Sequence, residues 1–296
     1  MKISSGERIF KIINFVFMIL LCIITLYPYI NQLAVSLNDS SDTIFGGITI
    51  YPRQFTLQNF ITVFANSGFV EALVNSVIRV LIGTASGLIV ITGAAYALMR
   101  KNLPGRNFFL SLLIIPTFIS GGLIPTYILY RYLSLMNSFM VYILPMAFSF
   151  YYMIIIRTYL QSIPQSLEES AVIDGANELQ ILIQIILPLS LPVMATVTLW
   201  LGVQHWNDWV TSLYFITKSD LYTLQYIMYK VVKEAELVNQ MAAQQAMTGG
   251  GVQVPKVTPE SVKSATIIIA TLPIIMLYPF LQKYFIHGVM IGAIKE

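Results

Sequence analysis

The chain alternates long apolar runs with short polar connections, and six of the runs are long enough to cross a lipid bilayer. A helix satisfies its own backbone hydrogen bonds, and about 20 apolar residues cover the hydrocarbon layer. The predicted spanning helices cover residues 12–30, 80–99, 107–123, 139–156, 190–207 and 264–282. The pattern therefore predicts an all-α integral membrane protein with a single transmembrane domain over residues 1–296.

Two of the runs carry further local signals. The run at 80–99 has no charged residue and is rich in glycine, alanine and serine, so we expect its helix to pack inside the bundle. Arg79, directly before it, is expected to be an interfacial anchor, with a role in a transport pathway as the alternative. After the third run, a Gly-Gly pair and Pro125 predict a break, followed by a short interfacial segment at 124–135.

Lysine and arginine in the connections predict the orientation of the chain. With the N-terminus inside, the inner connections hold nine of these residues, and the short outer ones hold only Arg53 and Arg131. Short loops rich in positive charge stay in the cytoplasm, so both termini are expected there. A long loop at 213–263 then lies outside; residues 234–247 are expected to be helical and 248–255 to form a glycine-rich tip.

Composition supports a membrane protein and excludes several functions. The chain is 56% hydrophobic and 10% charged, with a mean hydropathy of +0.74, whereas soluble proteins have about 25% charged residues. The formal charge of +3 is not concentrated in a basic cluster, so nucleic acid is not an expected partner. The single cysteine, Cys22, lies in the first apolar run, where it is expected to be a packing residue without a disulfide.

The chain also lacks the usual signs of catalysis. It has two histidines and no metal-binding motif, so no metal site is expected. No phosphate-binding G-x-x-x-x-G-K-[ST] motif is present, so any ATP hydrolysis must occur on another chain. Acidic residues are almost absent from the runs, which argues against a buried proton relay. We therefore predict a protein that is not an enzyme and binds no cofactor itself.

The connection at residues 157–189 contains an unusual group of acidic residues and is predicted to form two short helices. Ser166 and Glu169 have the spacing of a capping box, which predicts the start of the first helix. Gly175 suits the left-handed turn that commonly ends a helix. Glu169 is interpreted either as a helix-capping residue or as a contact to a basic surface of a partner protein.

The second short helix is predicted to begin at Asn177 with Gln180 and to end at Pro188. Isolated helices of about ten residues are not stable in water. We therefore expect this connection to pack against another protein.

A longer motif covers the same connection. It reads E-x-A-x-x-D-G-A from Glu169 to Ala176, and Ile185-x-Leu187-Pro188 follows after eight residues. This motif resembles the EAA coupling loop of ABC importer permeases, with Ser170 in place of the usual first alanine. By this resemblance, the residues that contact the ATPase are Glu169, Ala171, Asp174, Gly175, Ala176, Leu187 and Pro188. We call residues 157–189 the coupling loop, in which 164–188 would carry the contact.

The resemblance extends over nearly the whole chain and indicates a carbohydrate-uptake permease, similar to the second permease of the maltose importer. The ending at 279–293 is most similar to permeases for oligosaccharides from plant or algal polysaccharides, such as aldouronates. Trp206-Asn207-Asp208 resembles the W-N-[DE] motif at the outer end of the fifth span. Candidates for the substrate pathway are therefore Trp206, Asn207 and Trp209. Alternatively, the two tryptophans belong to the belt of aromatic side chains at the membrane interface.

The resemblance implies a type I ABC importer permease fold with six transmembrane helices, in a bacterial-type cell membrane. The implied partners are a second homologous permease, two cytoplasmic ATPase subunits that use ATP and Mg²⁺, and an extracytoplasmic sugar-binding protein that contacts the loop at 213–263. A dimeric ion-coupled secondary carrier is the alternative, but an inverted repeat is not visible. A polytopic membrane enzyme lacks any catalytic constellation.

Overall fold

The computed structural model describes residues 5–65, 67–247 and 258–293, and these residues form helices joined by loops. In chain order the α-helices are α1 (Ser5–Ser36), α2 (Ser40–Thr43), α3 (Gln58–Ala65), α4 (Ser67–Met99), α5 (Arg106–Phe118), α6 (Leu123–Tyr132), α7 (Met140–Ile143), α8 (Phe150–Leu160), α9 (Gln165–Ile173), α10 (Glu178–Ile181), α11 (Leu187–Leu189), α12 (Leu191–Asn207), α13 (Val210–Phe215), α14 (Leu224–Met247) and α15 (Pro259–Ala293). The all-α fold predicted from the sequence is confirmed.

Shorter elements occur between these helices. Two 3-10 helices cover Leu144–Met146 and Ser219–Leu221, and a π-helix covers Leu182–Ile186 between α10 and α11. An isolated antiparallel bridge joins Asn38 and Phe55.

Among the described residues, three helices are each long and apolar enough to cross a membrane: α1, α4 and the Pro259–Met276 part of α15. Three further pairs of helices pass the same test only together, and each pair is bent. The bends are 119° between α5 and α6, 49° between α7 and α8, and 82° between the helical run Glu178–Leu189 and α12. By length and composition the number of spans is thus three, or up to six if each bent pair is one span.

The helix boundaries differ from the predicted ones in physically informative ways. The third run breaks after Phe118 as predicted, and Gly122 in the break has a φ of +81°. The fourth predicted helix, 139–156, is not continuous, because Pro145 lies in a 3-10 turn and Ser149 caps a new helix. The helix predicted at 234–247 begins earlier, at Leu224. The predicted tip at 248–255 lies outside the described residues.

The chain divides into two units. The first contains residues 1–69 and 227–272. Within it, the buried Asn59 of α3 donates hydrogen bonds to the carbonyls of Ser36, at 2.9 Å, and Asn38, at 2.8 Å. These bonds fix α3 against the end of α1.

The second unit contains residues 70–226 and 273–296. Its main apolar core joins α4, α8, the coupling loop and α12, through the buried residues Ile91, Ala95, Tyr96, Leu98, Met153, Ile156, Leu160, Ala171, Ile181, Ile186, Val193, Val197 and Leu201. The coupling loop is therefore packed on the helix bundle by its own apolar side chains.

Helices α4 and α12 pack closely, as the small residues of α4 predict. A Cβ atom at Gly83 would lie 2.4 Å from the ring of His205, a distance that no side chain tolerates. At Gly87 the nearest atom is a Leu201 methyl group at 3.5 Å. Glycine at position 83 therefore allows the buried His205 to lie directly against the backbone of α4.

Arg79 is not the interfacial anchor predicted from the sequence. Helix α4 begins at Ser67, well before the charge-free run, so Arg79 lies inside the helix and its side chain is fully buried. Its guanidinium forms an ion pair with Asp208 and donates a 2.9 Å hydrogen bond to the Asp208 carbonyl. It also lies over the ring of Tyr142, at 4.5 Å from the centroid. Arg79 is thus part of a buried polar cluster.

Candidate coupling site

The first helix of the coupling loop, α9, begins two residues earlier than predicted, because the capping position is Pro164 and not Ser166. Pro164 occupies the capping position with φ −58° and ψ 127°, and the helix starts at Gln165. Ser166 therefore lies inside α9, where its carbonyl accepts a 2.9 Å hydrogen bond from the Ser170 hydroxyl. The predicted Ser166–Glu169 capping box is wrong, because the backbone of Pro164 already sets the start of the helix.

The turn after α9 has the predicted geometry. Gly175 has a φ of +84°, which favours glycine because an L side chain is strained there. The Gly175 amide donates to the Val172 carbonyl at 3.0 Å, and the Ala176 amide donates to the Ala171 carbonyl at 2.9 Å. This pair of bonds is a Schellman motif, which ends α9 and reverses the chain.

The second helical run begins at the predicted position, after Asn177, and a capping box forms there. The Asn177 amide donates to the Gln180 side chain at 2.8 Å, and the Gln180 amide donates to the Asn177 side chain at 2.9 Å. The run continues through α10, the π-helix and α11, and it ends at Leu189, one residue after the predicted end at Pro188. The π-helix was not predicted; such turns occur frequently at functional sites.

The predicted ATPase-contact residues fall into an inner and an outer group. Ala171 is buried in the core of the second unit, and Ala176 and Leu187 are half-buried. The outward-facing residues are Glu169, Asp174, Gly175 and Pro188. Glu169, Asp174 and the Gly175 turn therefore face the surroundings, while Ala171 packs in the core.

Exposed apolar side chains surround the Gly175 turn. Ile173 is 86% exposed, Leu179 is 63% exposed and Val172 is 58% exposed. Exposed apolar groups of this size on a loop usually mark a surface that another protein covers.

One arginine connects α4 to both helical runs of the coupling loop. Arg100 follows the last residue of α4, and its guanidinium forms an ion pair with Glu168 of α9. It also forms an ion pair with Glu178 at the start of α10, in which an Arg100 nitrogen donates to the carboxylate at 2.6 Å. The Tyr96 hydroxyl donates to the same Glu178 oxygen at 2.7 Å. We call Tyr96, Arg100, Glu168 and Glu178 the Arg100 cluster.

The Arg100 cluster is electrostatically matched and partly buried, with Glu168 shielded and Glu178 exposed. The carboxylate of Glu168 is buried, and the hydrogen bond from Tyr96, together with the charge of Arg100, holds the pKa of Glu178 below its usual value. Sequence reasoning did not identify this cluster, since Arg100 lies 68 residues from Glu168 and 78 from Glu178. The available signal was an arginine directly after a charge-free run, together with Glu168 and Glu178 in a later loop that is predicted to be cytoplasmic.

The candidate substrate-pathway residues lie at the end of α12 and just after it. Trp206 is buried, Trp209 is half-buried and Asn207 is exposed. Of these three, Asn207 lines an open groove between α8 and α12. The remaining residues of that groove were not among the predicted candidates.

Known proteins resemble the chain over nearly its full length. It is 33% identical over 289 residues to the polygalacturonan/rhamnogalacturonan transport system permease protein YtcP of Bacillus subtilis (strain 168), which covers 98% of this chain and 99% of the relative. It is 36% identical over 293 residues to protein LplC of the same organism, which covers 99% of this chain and 97% of the relative.

A solved structure has the same fold. It is a chain of a bacterial ABC transporter involved in the import of the acidic polysaccharide alginate, with a TM-score of 0.86 and 27% identity over 96% of this chain and 99% of that chain. Residues 89–291 match the family described as binding-protein-dependent transport system inner membrane component. Since this match covers the end of α4, all of α5 to α14 and all but the last two residues of α15, the chain belongs to the family of inner-membrane permease components of binding-protein-dependent transport systems.

Proposed function

We propose that the chain is a permease subunit of an ATP-driven importer that takes up an oligosaccharide delivered by an extracytoplasmic binding protein. Two observations support the substrate class. One relative is named for polygalacturonan and rhamnogalacturonan transport, and the solved structure of the same fold belongs to an importer of alginate. The proposed substrate is accordingly an oligosaccharide derived from a polysaccharide.

The coupling loop carries the proposal, because it has the geometry of a docking projection. The Schellman turn at Gly175 presents Ile173, Val172 and Leu179 outward, and Ala171 with the Arg100 cluster fixes the loop to the bundle. An ATPase subunit that covers the exposed apolar side chains would move the bundle when it moves the loop. Glu169 and Asp174 would lie at the edge of this contact, opposite basic groups of the ATPase.

The remaining parts of the complex follow from this assignment. The chain would pair with a second homologous permease, and two cytoplasmic ATPase subunits would bind and hydrolyse ATP with Mg²⁺. Its six spans would place both termini in the cytoplasm and α14 outside, where that helix would contact the binding protein. This chain would supply transport and coupling, and no catalytic residue.

Replacement of Gly175 tests the proposal. Gly175→Val places a β-branched residue at a φ of +84°, where nothing else obstructs the side chain, so the defect is confined to the turn. We expect the complex to assemble and its ATP-driven uptake to fall by at least about tenfold, because the strain at this position amounts to about 1 to 2 kcal/mol. Gly46→Val is the matched control, because Gly46 also has a positive φ of +67° and open space.

Full uptake by the assembled Gly175→Val complex would exclude the coupling role of this turn. Uptake driven by an ion gradient, with no ATPase subunit in the purified complex, would instead identify a secondary carrier. Equal losses in the Gly175 and Gly46 variants would show that the effect is not specific to the coupling loop.

A further inference from the structure

A polar face lies on a helix that otherwise has an apolar sequence. Trp200, Gln204 and Asn207 of α12 are spaced by four and three residues, so they share one side of the helix. Gln204 and Asn207 are exposed. Amide groups within a predicted membrane span are costly in contact with lipid, and they generally face a partner or a polar pathway.

Aromatic rings from α8 extend this face into a groove. The ring of Tyr152 stacks on that of Trp200, with centroids 5.9 Å apart and an interplanar angle of 28°. Tyr151 lies 6.4 Å from the same tryptophan ring, at 32°. The Tyr152 hydroxyl donates a 3.4 Å hydrogen bond to the Gln204 carbonyl oxygen. The groove has a volume of about 400 Å³ and is open on one side.

The composition of the groove differs from that of a helix-packing surface. Helices in membranes approach one another through small side chains, and α4 and α12 do so at Gly83 and Gly87. The groove instead combines two large aromatic rings with exposed amides and the apolar side chains of Leu199 and Val203. Aromatic walls with a few oriented polar groups, in a volume of several hundred Å³, are typical of small-molecule sites.

We propose that this groove is a sugar-contact site on the transport pathway, at which one pyranose unit of the imported oligosaccharide lies against Trp200 and Tyr152. A pyranose ring has C–H groups on its faces and hydroxyls around its edge. The aromatic rings bury the C–H face, and the amides of Gln204 and Asn207 offer both donors and acceptors to the hydroxyls. The inference rests on the proposed function, since it requires that the chain transports a saccharide.

The charges near the groove indicate what the site recognises. Asp208 lines the groove, but its carboxylate is paired with Arg79 and accepts a hydrogen bond from the Thr211 amide. The described residues that line the groove include no lysine or arginine. The site therefore recognises the sugar ring and its hydroxyls, so neutral and acidic sugars should depend on it equally.

Uptake by the complete complex tests this inference. The complex is reconstituted into liposomes with its binding protein, and the probes are radiolabelled trisaccharides of galacturonate, mannuronate, xylose and glucose, all in the pyranose form. Trp200→Ala and Gln204→Leu should each reduce uptake of every transported probe by about tenfold, which corresponds to about 1.4 kcal/mol. Trp200→Phe, which keeps an aromatic ring, should retain most of the uptake.

Leu191→Ala is the matched control, because Leu191 is 60% exposed on the same helix and lies on the side opposite Trp200. Normal uptake by both Trp200→Ala and Gln204→Leu would overturn the inference and leave the importer function intact. Loss of the second permease from the purified Gln204→Leu complex would identify a subunit contact and would also overturn it. Absence of ATP-driven uptake of every probe by the parent complex would contradict the proposed function itself.

Discussion

A buried arginine destabilises a fold unless its charge is paired, so Arg79 depends on Asp208. Asp208→Asn would leave the buried guanidinium without its anion, and we expect it to lower the free energy of unfolding by about 3 to 5 kcal/mol. The effect is measured by thermal denaturation of the detergent-purified complex, with the loss of the assembled species as the readout. Asp220→Asn is the control, because Asp220 is exposed and should cause little change.

The double variant Arg79→Met with Asp208→Asn separates charge from packing. It removes both charges and keeps an extended side chain in the buried position, so it should be more stable than Asp208→Asn alone. If the double variant is no more stable than the single one, the ion pair does not explain the need for Asp208.

The sequence could not reveal this pair, since Arg79 and Asp208 are 129 residues apart. Local hydropathy shows a charge at the edge of an apolar run, and an anchor at the membrane surface is the simplest interpretation of such a charge. Helix α4 extends beyond that run to Ser67, and only this extension places Arg79 inside the bundle.

At the scale of helices, the Arg100 cluster connects α4 to both helical runs of the coupling loop, and Arg157 adds a 3.0 Å hydrogen bond to the Leu98 carbonyl. Arg100→Met removes the ion pairs to Glu168 and Glu178 at once. The pair with the buried Glu168 contributes about 1.5 to 3 kcal/mol, and the solvent-exposed pair with Glu178 contributes less. We therefore expect the loop to detach partly and the sugar transported per ATP hydrolysed to fall by about fivefold or more. Simultaneous measurement of uptake and phosphate release gives this ratio.

Lys101→Met is the control for Arg100→Met, because Lys101 is the exposed neighbouring cation and belongs to no described ion pair of the cluster. Tyr96→Phe should give a smaller loss, since it removes one hydroxyl and leaves both ion pairs. A normal ratio of uptake to ATP hydrolysis in Arg100→Met would show that the loop stays attached without the Arg100 cluster.

Local signals predicted the coupling loop better than they predicted its attachment. Gly175 and the Asn177–Gln180 box each act over a few residues, and both have the expected geometry. The start of α9 was misplaced because Pro164 sets it by its own backbone. The π-helix at Leu182–Ile186 depends on how the run packs, which no periodicity in the sequence shows.

For the whole molecule, apolar run length predicted the helical membrane class correctly and the shape of individual helices less well. The long helices α1, α4 and α15 follow directly from their composition. The bend between α5 and α6 occurs at the Gly121–Gly122 pair, and the bend before α12 occurs at Ser190, between Pro188 and Pro192. The sequence marks these breaks but does not give their angles. For this reason six spans remain a prediction.

The orientation of the chain provides a direct test at this scale. In a Cys22→Ser background, Tyr51→Cys and Met241→Cys introduce exposed thiols in segments predicted to lie outside, and Lys101→Cys introduces one in a turn predicted to lie inside. Because positively charged short loops stay in the cytoplasm, a membrane-impermeant maleimide should label the first two variants in intact spheroplasts. Lys101→Cys should react only after the membrane is opened with detergent. Labelling of Lys101→Cys in intact spheroplasts, with protection of Tyr51→Cys, would reverse the orientation and place the coupling loop on the side where no ATP is available.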